Sequence, residues 1–235
     1  MKYESAVDNR NGAALLADGT VQDDAPFRDG SRASETLKRA MDLLIALPAL
    51  VFLLPVLAVI GLCIKLGDGG PMIYRQDRRG LNGQSFRCRK FRTMVVNADQ
   101  KLDAILKSDP QRAAEWEQDQ KLRDDPRITR LGKFLRKTSL DELPQLLNII
   151  SGEMSIVGPR PIVSNEVRRY GEFIRYYDSV RPGVLGLWQI SGRNDTTYAE
   201  RVALDTKYAI ERSVFLDLKI FVLAIPAVLF SRGAY

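Results

Sequence analysis

Residues 43–64 read LLIALPALVFLLPVLAVIGLCI, with no charge anywhere in the run. As one straight helix it would span about 33 Å, enough for a hydrocarbon core of about 30 Å. A segment this apolar must sit in lipid or in a protein core, and that choice decides what the rest of the chain can be. An ordinary transmembrane helix is one solution. Pro48 and Pro55 count against it, because an internal proline removes a backbone hydrogen bond and kinks a helix. Lys38 and Arg39 precede the run and Lys65 follows it, so the basic excess that orients membrane helices selects neither side. A helix bent at Pro55, entering and leaving the same leaflet, would keep both ends cytoplasmic. The residues alone leave the spanning and re-entrant forms open; a core helix of a soluble protein is the poorest fit. Asp42, at the membrane boundary, is expected to pair with a basic neighbour or to cap backbone.

The flanks suggest three regions. Residues 1–33 are polar and are expected to form a mobile tail; their apolar cluster at residues 13–17 is too short for a signal-peptide core. Residues 34–66 hold the apolar helix, spanning or re-entrant, with Pro55 as its expected break. Residues 67–235 form a further domain, ending in the apolar run 214–230, which Asp217, Lys219 and Pro226 interrupt and which reads as an interfacial helix. The expected fold class is α+β and helix-dominated, with a small β-hairpin and a helical domain.

The chain has 35 Lys and Arg against 29 Asp and Glu, a net charge of +6, which suits acidic partners such as anionic lipid, a phosphorylated substrate or nucleic acid. It has no histidine, so no His base and no His-ligated zinc can operate. Cys63 lies in the apolar run and Cys88 in a basic segment, so no disulfide is expected.

Gly67-Asp68-Gly69-Gly70-Pro71 marks a turn, and two short strands, residues 72–74 and 85–88, are expected around Leu81-Asn82-Gly83-Gln84. Arg75, Arg78, Arg79, Arg87, Arg89, Lys90 and Arg92 fall here against a single acid, Asp77. Such a run is commonly a solvated face; equally, Arg forks match phosphate oxygens, so it could line a phosphate site. Residues 96–123 are charged and helical, and residues 124–136 form a turn leading into a basic helix from Leu131 to Lys137.

Asp141 and Glu142 are adjacent carboxylates between Arg136-Lys137 and the apolar Leu143, Leu146, Leu147 and Ile150, which are spaced as the buried face of a helix closed by Gly152. Ser139-x-x-Glu142 fits a capping box, and acids in a first helical turn offset the macrodipole. A purely structural cap is therefore the stronger local reading. Pro144 disturbs that register, falling past the first turn if Ser139 is the cap and inside it if Asp141 is. As chemistry, an ionised carboxylate is a competent phosphoryl acceptor that needs no base, which suits a chain without His. Three further loops pair Gly or Pro with Arg: Gly158-Pro159-Arg160-Pro161, Arg181-Pro182-Gly183 and Gly192-Arg193. Rigid loops that present Arg suit phosphate clamping, though each alone also reads as a tight turn.

These ordered motifs resemble the bacterial sugar transferases, the monotopic polyprenyl-phosphate phosphoglycosyl transferases, and within them the exopolysaccharide-initiating galactosyl- or glucosyl-phosphate transferases. The resemblance covers residues 38 to about 230. It rests on Lys38-Arg39-Ala40-Met41-Asp42, residues 70–76, Arg79-Gly80, residues 86–94, residues 135–146, residues 154–161 and Arg181-Pro182-Gly183 through Gly192-Arg193. It implies that the helix over residues 34–66 is re-entrant and broken near Pro55, and that residues 67–235 are a catalytic domain on the cytoplasmic face of the membrane. It implies further that Asp141 attacks the β-phosphate of a UDP-sugar beside Glu142, that the pair holds Mg²⁺, and that undecaprenyl phosphate then takes the phosphosugar. It assigns Lys90, Arg136 and Arg160 to phosphate; Arg92 and Arg193 are added here from the basic segment and the third loop. The choice of Asp141 over Glu142 rests on this resemblance, since sequence physics does not decide between them. The chain departs from the family at Leu54, where Ser commonly precedes the helix-breaking proline, and at Met41, where Phe is common. The partners implied are a UDP-sugar, undecaprenyl phosphate and membrane lipids; the sequence admits a homo-oligomer without requiring one. Two competitors stand beside this reading. One is a non-enzymatic, membrane-anchored basic docking module for glycan-assembly partners. The other is nucleic-acid binding, which has only the +6 charge behind it and is set aside.

Overall fold

The structure, a computed structural model, describes residues 32–119, 122, 124–191 and 197–229. Nearly all of the expected tail lies outside the described residues. Among the described residues the protein is helix-dominated, as expected, with two small two-stranded sheets, of which only the hairpin was expected. The chain divides into two compact units. One comprises residues 32–52, Gln76–Cys88 and residues 145–229; the other comprises Leu53–Arg75 and Arg89–Pro144.

Helix α1 runs Arg32–Asp68 and passes from the first unit to the second between Phe52 and Leu53. It stays helical through Pro48 and Pro55, so the expected break is not an interruption of helix. It is the one described helix long and apolar enough to cross a membrane. Much of its surface is bare hydrocarbon: Leu44, Val51, Phe52, Val59 and Leu66 are all exposed, Phe52 to 83%. Hairpin strands β1 (Ile73–Arg79) and β2 (Ser85–Phe91) pair across the expected turn and are longer than predicted. Asn82 and Gly83 both take positive φ, 55° and 71°, the geometry that makes Asn-Gly an efficient chain reversal.

In the first unit, the start of α1 buries Ala46 in a core with Phe86, Ile149, Met154, Leu204, Tyr208 and Ile220. Strands β3 (Ser155–Val157) and β4 (Gly183–Leu185) pair in parallel, with Ser155 opposite Gly183 and Val157 opposite Leu185. Gly183 permits this approach: a Cβ there would lie 2.1 Å from the Gly158 nitrogen. Short helices α5 (Gln145–Ile150), α6 (Val167–Tyr170), α7 (Ile174–Asp178) and α8 (Leu187–Ile190) belong to the same unit. Helix α9 (Tyr198–Glu211) starts at a capping box, with Thr197 accepting from the Glu200 amide and Glu200 accepting from the Thr197 amide. Helix α10 (Val214–Leu229) turns Asp217, Ile220 and Ala224 inward and leaves Phe215, Leu218 and Val222 exposed, an apolar face suited to an interface.

Asp42 meets both expectations for it. It pairs with Lys38 at 3.1 Å, and it accepts from Ser155 Oγ and the Ile156 amide, each at 3.0 Å. Lys38 also reaches Asp217 at 2.9 Å, and Tyr208 donates to Asp217 at 2.8 Å. Arg39 donates to the carbonyls of Ile149 and Ile150, so the base of α1 is tied to β3, α5, α9 and α10 by charged hydrogen bonds.

In the second unit, the end of α1 packs Ile60 and Ile64 against Phe91 and Leu135. The charged segment expected as one helix is two, α2 (Ala98–Ser108) and α3 (Pro110–Asp119). Pro110 lacks the amide that would continue α2, and the Asp109 carboxylate instead caps the amides of Gln111 and Arg112. The basic helix is α4 (Arg130–Lys137), capped by Thr129 Oγ1 at 2.9 Å from the Gly132 amide.

Candidate active site

Helix α4 and the turn after it build the site. Gly132 lets α4 lie on the Thr93 carbonyl, which a Cβ at that position would meet at 2.0 Å. Thr129 donates its amide to the same carbonyl at 3.0 Å, and Leu135 is fully buried. Arg136, on the last turn of α4, donates Nε to Thr93 Oγ1 at 2.9 Å. The chain then turns through Ser139, whose φ of 56° and ψ of 15° lie in the left-handed region, into a 3-10 turn at Leu140–Glu142.

That turn replaces the expected capping box. Ser139 makes no side-chain cap, and Glu142 reaches Lys90 on β2, at 2.6 Å, rather than back to the backbone. Helix α5 begins only at Gln145, so Pro144 precedes it and neither expected register applies. The helix is also rotated from the expected face. Gln145, Asn148 and Ile149 are buried, while Leu147 is 42% exposed. Asn148 is accommodated because its amide donates to the Arg87 carbonyl and the Glu153 carboxylate, at 2.8 and 2.7 Å. Gly152 follows the helix with φ of 84°, as expected of a C-terminal stop.

The two carboxylates sit in different states. Glu142 is ion-paired. The Asp141 carboxylate has no hydrogen bond or ion pair with another side chain among the described residues, and Asp141 itself is only partly exposed. Burial pushes its pKa above the ordinary carboxylate value; the charge of Glu142 adds to the rise, and Lys90 and Arg136 oppose it. A desolvated, unpaired carboxylate flanked by two cations is a nucleophile with its anion-binding partners beside it.

Lys90, Arg136, Asp141 and Glu142 are thus brought together in the second unit. Arg92 belongs to that unit, but its guanidinium is committed to Asp68 in a two-pronged pair and to the carbonyls of Pro71 and Met94. Arg160 belongs to the first unit, after β3, with its guanidinium over the Trp188 ring. Arg193 lies outside the described residues. Sequence reasoning missed the buried pair Asp125–Arg127, at 2.7 Å, although the turn that contains it was recognised. Burial alone would raise Asp125, but the bonds from Arg127 outweigh it and hold this carboxyl below its ordinary value. Arg127 also stacks over Trp116, 5.2 Å from the ring centroid.

No group of three or more His, Cys, Asp or Glu side chains is placed to hold a metal among the described residues. The available donors are hard carboxylate oxygens, one set paired with Lys90 and one not. That set fits an ion such as Mg²⁺, which uses one or two carboxylates and takes its remaining ligands from water and substrate phosphates.

The sequence matches the bacterial sugar transferase family over residues 33–231. The chain belongs to that family. An exopolysaccharide production protein, ExoY, of Sinorhizobium fredii is 53% identical over 198 residues, 84% of this chain and 88% of the relative. An undecaprenyl-phosphate galactose phosphotransferase of Salmonella typhimurium is 46% identical over 204 residues, 87% of this chain. A UDP-glucose:undecaprenyl-phosphate glucose-1-phosphate transferase of Escherichia coli is 38% identical over 213 residues, also 87% of this chain. The chain spans 43% of each of these last two proteins and most of the first. As a sugar transferase of this family it is an enzyme, which disfavours the docking-module reading.

Proposed function

We propose that this sugar transferase moves a sugar 1-phosphate from a UDP-sugar, galactose or glucose, to undecaprenyl phosphate and so initiates exopolysaccharide synthesis. The observation that carries the reading is the asymmetry of the carboxylate pair: Glu142 held by Lys90, Asp141 desolvated and unpaired beside Arg136. An Asp141 oxygen attacks the β-phosphorus, the bridging P–O bond breaks, and UMP leaves with the bridging oxygen. An oxygen of the lipid phosphate then displaces Asp141 from the phosphosugar ester. The product is a lipid-linked diphosphosugar, and the carboxylate is regenerated. Arg136, with only its Nε engaged among the described residues, has the rest of its fork turned to phosphoryl oxygens in this reading. Lys90 offsets the charge of Glu142 so that a dianionic donor can approach. Mg²⁺, held by Asp141 and Glu142 together with the diphosphate, would screen charge on the substrate and the departing UMP.

The substrate classes are supported by the relatives' names, two of which specify undecaprenyl phosphate with galactose or glucose. Membrane association is supported by the bare surface of α1 and the exposed face of α10. Both ends of α1 carry polar anchors, Lys38–Asp42 at one and Asp68–Arg92 at the other. We place both ends on the cytoplasmic face, with α1 re-entrant. Labelling of cysteines introduced near residues 34 and 69 should find both inaccessible from outside the cell; external labelling of either would overturn the topology.

The deciding assay is UMP release by detergent-solubilised protein with Mg²⁺ and undecaprenyl phosphate, comparing UDP-galactose, UDP-glucose and UDP-N-acetyl sugars. Release with one donor, lost in Asp141→Asn, is the expected outcome. Undiminished release from the variant would remove Asp141 from the mechanism.

A further inference from the structure

Thr93 follows strand β2, is buried, and meets helix α4 at its cap and at two points along it. Its carbonyl accepts from the Thr129 amide at 3.0 Å. The same carbonyl lies against Gly132, where a Cβ would collide with it. Its hydroxyl oxygen accepts from Arg136 Nε at 2.9 Å. Residues 129, 132 and 136 fall on one side of a helix. The main chain of one residue thus sets where α4 sits, and its side chain sets how the last arginine of α4 is turned.

Thr93 is itself held from both sides. The Arg92 amide donates to the Met72 carbonyl at 3.0 Å, and the Val95 amide donates to the Arg127 carbonyl at 3.0 Å. Met94 bridges to Ile128. Phe91, two residues back and so on the same side of an extended chain, shares a core with Leu135 of α4. Threonine is β-branched and has few χ1 positions open to it, so its hydroxyl is a stiff acceptor.

The bond matters for the nitrogen it holds. Nε–H lies in the guanidinium plane, so fixing its direction fixes that plane and points Nη1 and Nη2, the end that grips two oxygens of one anion. Arg136 and Asp141 lie near enough to feel each other: burial pulls the Arg136 pKa below its ordinary value, and the charge of Asp141 opposes that. Lys90, in the same stretch as Thr93, holds Glu142. The two cations that flank the dyad therefore take their positions from one short stretch, residues 90–93.

We propose that Thr93 is a positioning residue for the transfer, its hydroxyl aiming the Arg136 guanidinium at the phosphoryl group that Asp141 attacks. The proposal rests on the reading above, in which Arg136 serves the reacting phosphate. Thr93 acts through Arg136 and not on the substrate.

The test follows UMP release by the full chain in detergent, with Mg²⁺, undecaprenyl phosphate and the UDP-sugar that the parent uses. Thr93→Val keeps the shape and the main-chain contacts with α4 but leaves Arg136 Nε without this acceptor. Its kcat should fall about 10- to 100-fold, the scale of a misplaced catalytic group, with KM within a few-fold of the parent. Thr93→Ser restores the hydroxyl and should recover most of the rate. Thr93→Cys, with only a weak acceptor, is measured beside them in case the valine variant does not fold, and should be slow as well. A double-mutant cycle with Arg136→Met separates aiming from a purely structural role. With no guanidinium to aim, Thr93→Val should cost little further rate in that background. Equal losses in both backgrounds, a serine variant as slow as the valine one, or undiminished kcat in a folded Thr93→Val would overturn the proposal. Failure of the transferase reading would appear before Thr93 is touched, as no turnover by the parent with any donor or full turnover by Arg136→Met, and would take the proposal with it.

Discussion

Lys90 Nζ stands 2.6 Å from Glu142 Oε1, while the neighbouring Asp141 carboxylate has no such partner among the described residues. The two carboxylates therefore stand in different environments. Asp141 must be ionised to attack, and burial first and Glu142 second raise its pKa. UMP release should fall on the acid side with a midpoint above the ordinary aspartate value. Glu142→Gln removes a like charge and should move that midpoint down. Lys90→Met removes a cation and should move it up, with a loss of rate on the order of 10²-fold if Lys90 serves the reacting phosphate. Shifts in the same direction in both variants would contradict this arrangement.

Asp141→Asn should lose UMP release by roughly 10³-fold or more, as expected when an attacking group is removed. It should also be more heat-stable than the parent at neutral pH. In the unfolded chain Asp141 titrates at its ordinary value, and in the fold it titrates higher. Between the two values the folded state holds more protons, so its stability declines as pH rises through that window and stays lower above it. Asparagine carries no such penalty. The difference in Tm should therefore be widest near neutrality and should close as pH falls below the ordinary aspartate range.

Ser139 holds a left-handed backbone directly before the dyad, at a cost of about 1 kcal/mol for a residue with a Cβ. Ser139→Gly should keep the turn, match or slightly exceed the parent in stability and retain turnover within a few-fold. Ser139→Val, β-branched at positive φ, should lose both stability and rate. Thermal melts and UMP release measured together separate this from a role for the hydroxyl, in which the glycine variant would fail as well.

The same residue explains what the sequence left hidden. The Asn82-Gly83 turn and the basic helix α4 were legible because their signals are local: two residues suited to positive φ, and a run bounded by a cap. The dyad turn was not. Ser139-x-x-Glu142 carries the pattern of a capping box, but its outcome depends on Lys90, far away in sequence, which takes the glutamate. The buried face of α5 was misplaced for a related reason: Asn148 goes inward because Arg87 and Glu153 satisfy its amide. Strands β3 and β4 are three residues each, and their pairing depends on Gly158 and Gly183 meeting across a long connection. The chemistry of the site was visible as residue types, and the choice of Asp141 rested on the resemblance; the ion pair that Glu142 makes with Lys90 is visible only in the fold.

Arg92 is the sharpest divide between a phosphate ligand and a structural residue. Its Nε donates to the Pro71 carbonyl at 2.7 Å, and its other nitrogens bind Asp68 and the Met94 carbonyl. The side chain is 8% exposed, so removing it strands those acceptors. Arg92→Lys keeps the charge but loses the fork, and should cost about 1–3 kcal/mol in stability. In the folded fraction, KM for the UDP-sugar should stay within a few-fold of the parent. Asp68→Asn should lower stability in the same direction and leave KM similarly untouched, because both changes weaken one clasp between the end of α1 and the strand that carries Lys90. A raised KM in Arg92→Lys with an unchanged melting temperature would return Arg92 to the list of phosphate ligands and leave the Asp68 pair as an accident of charge.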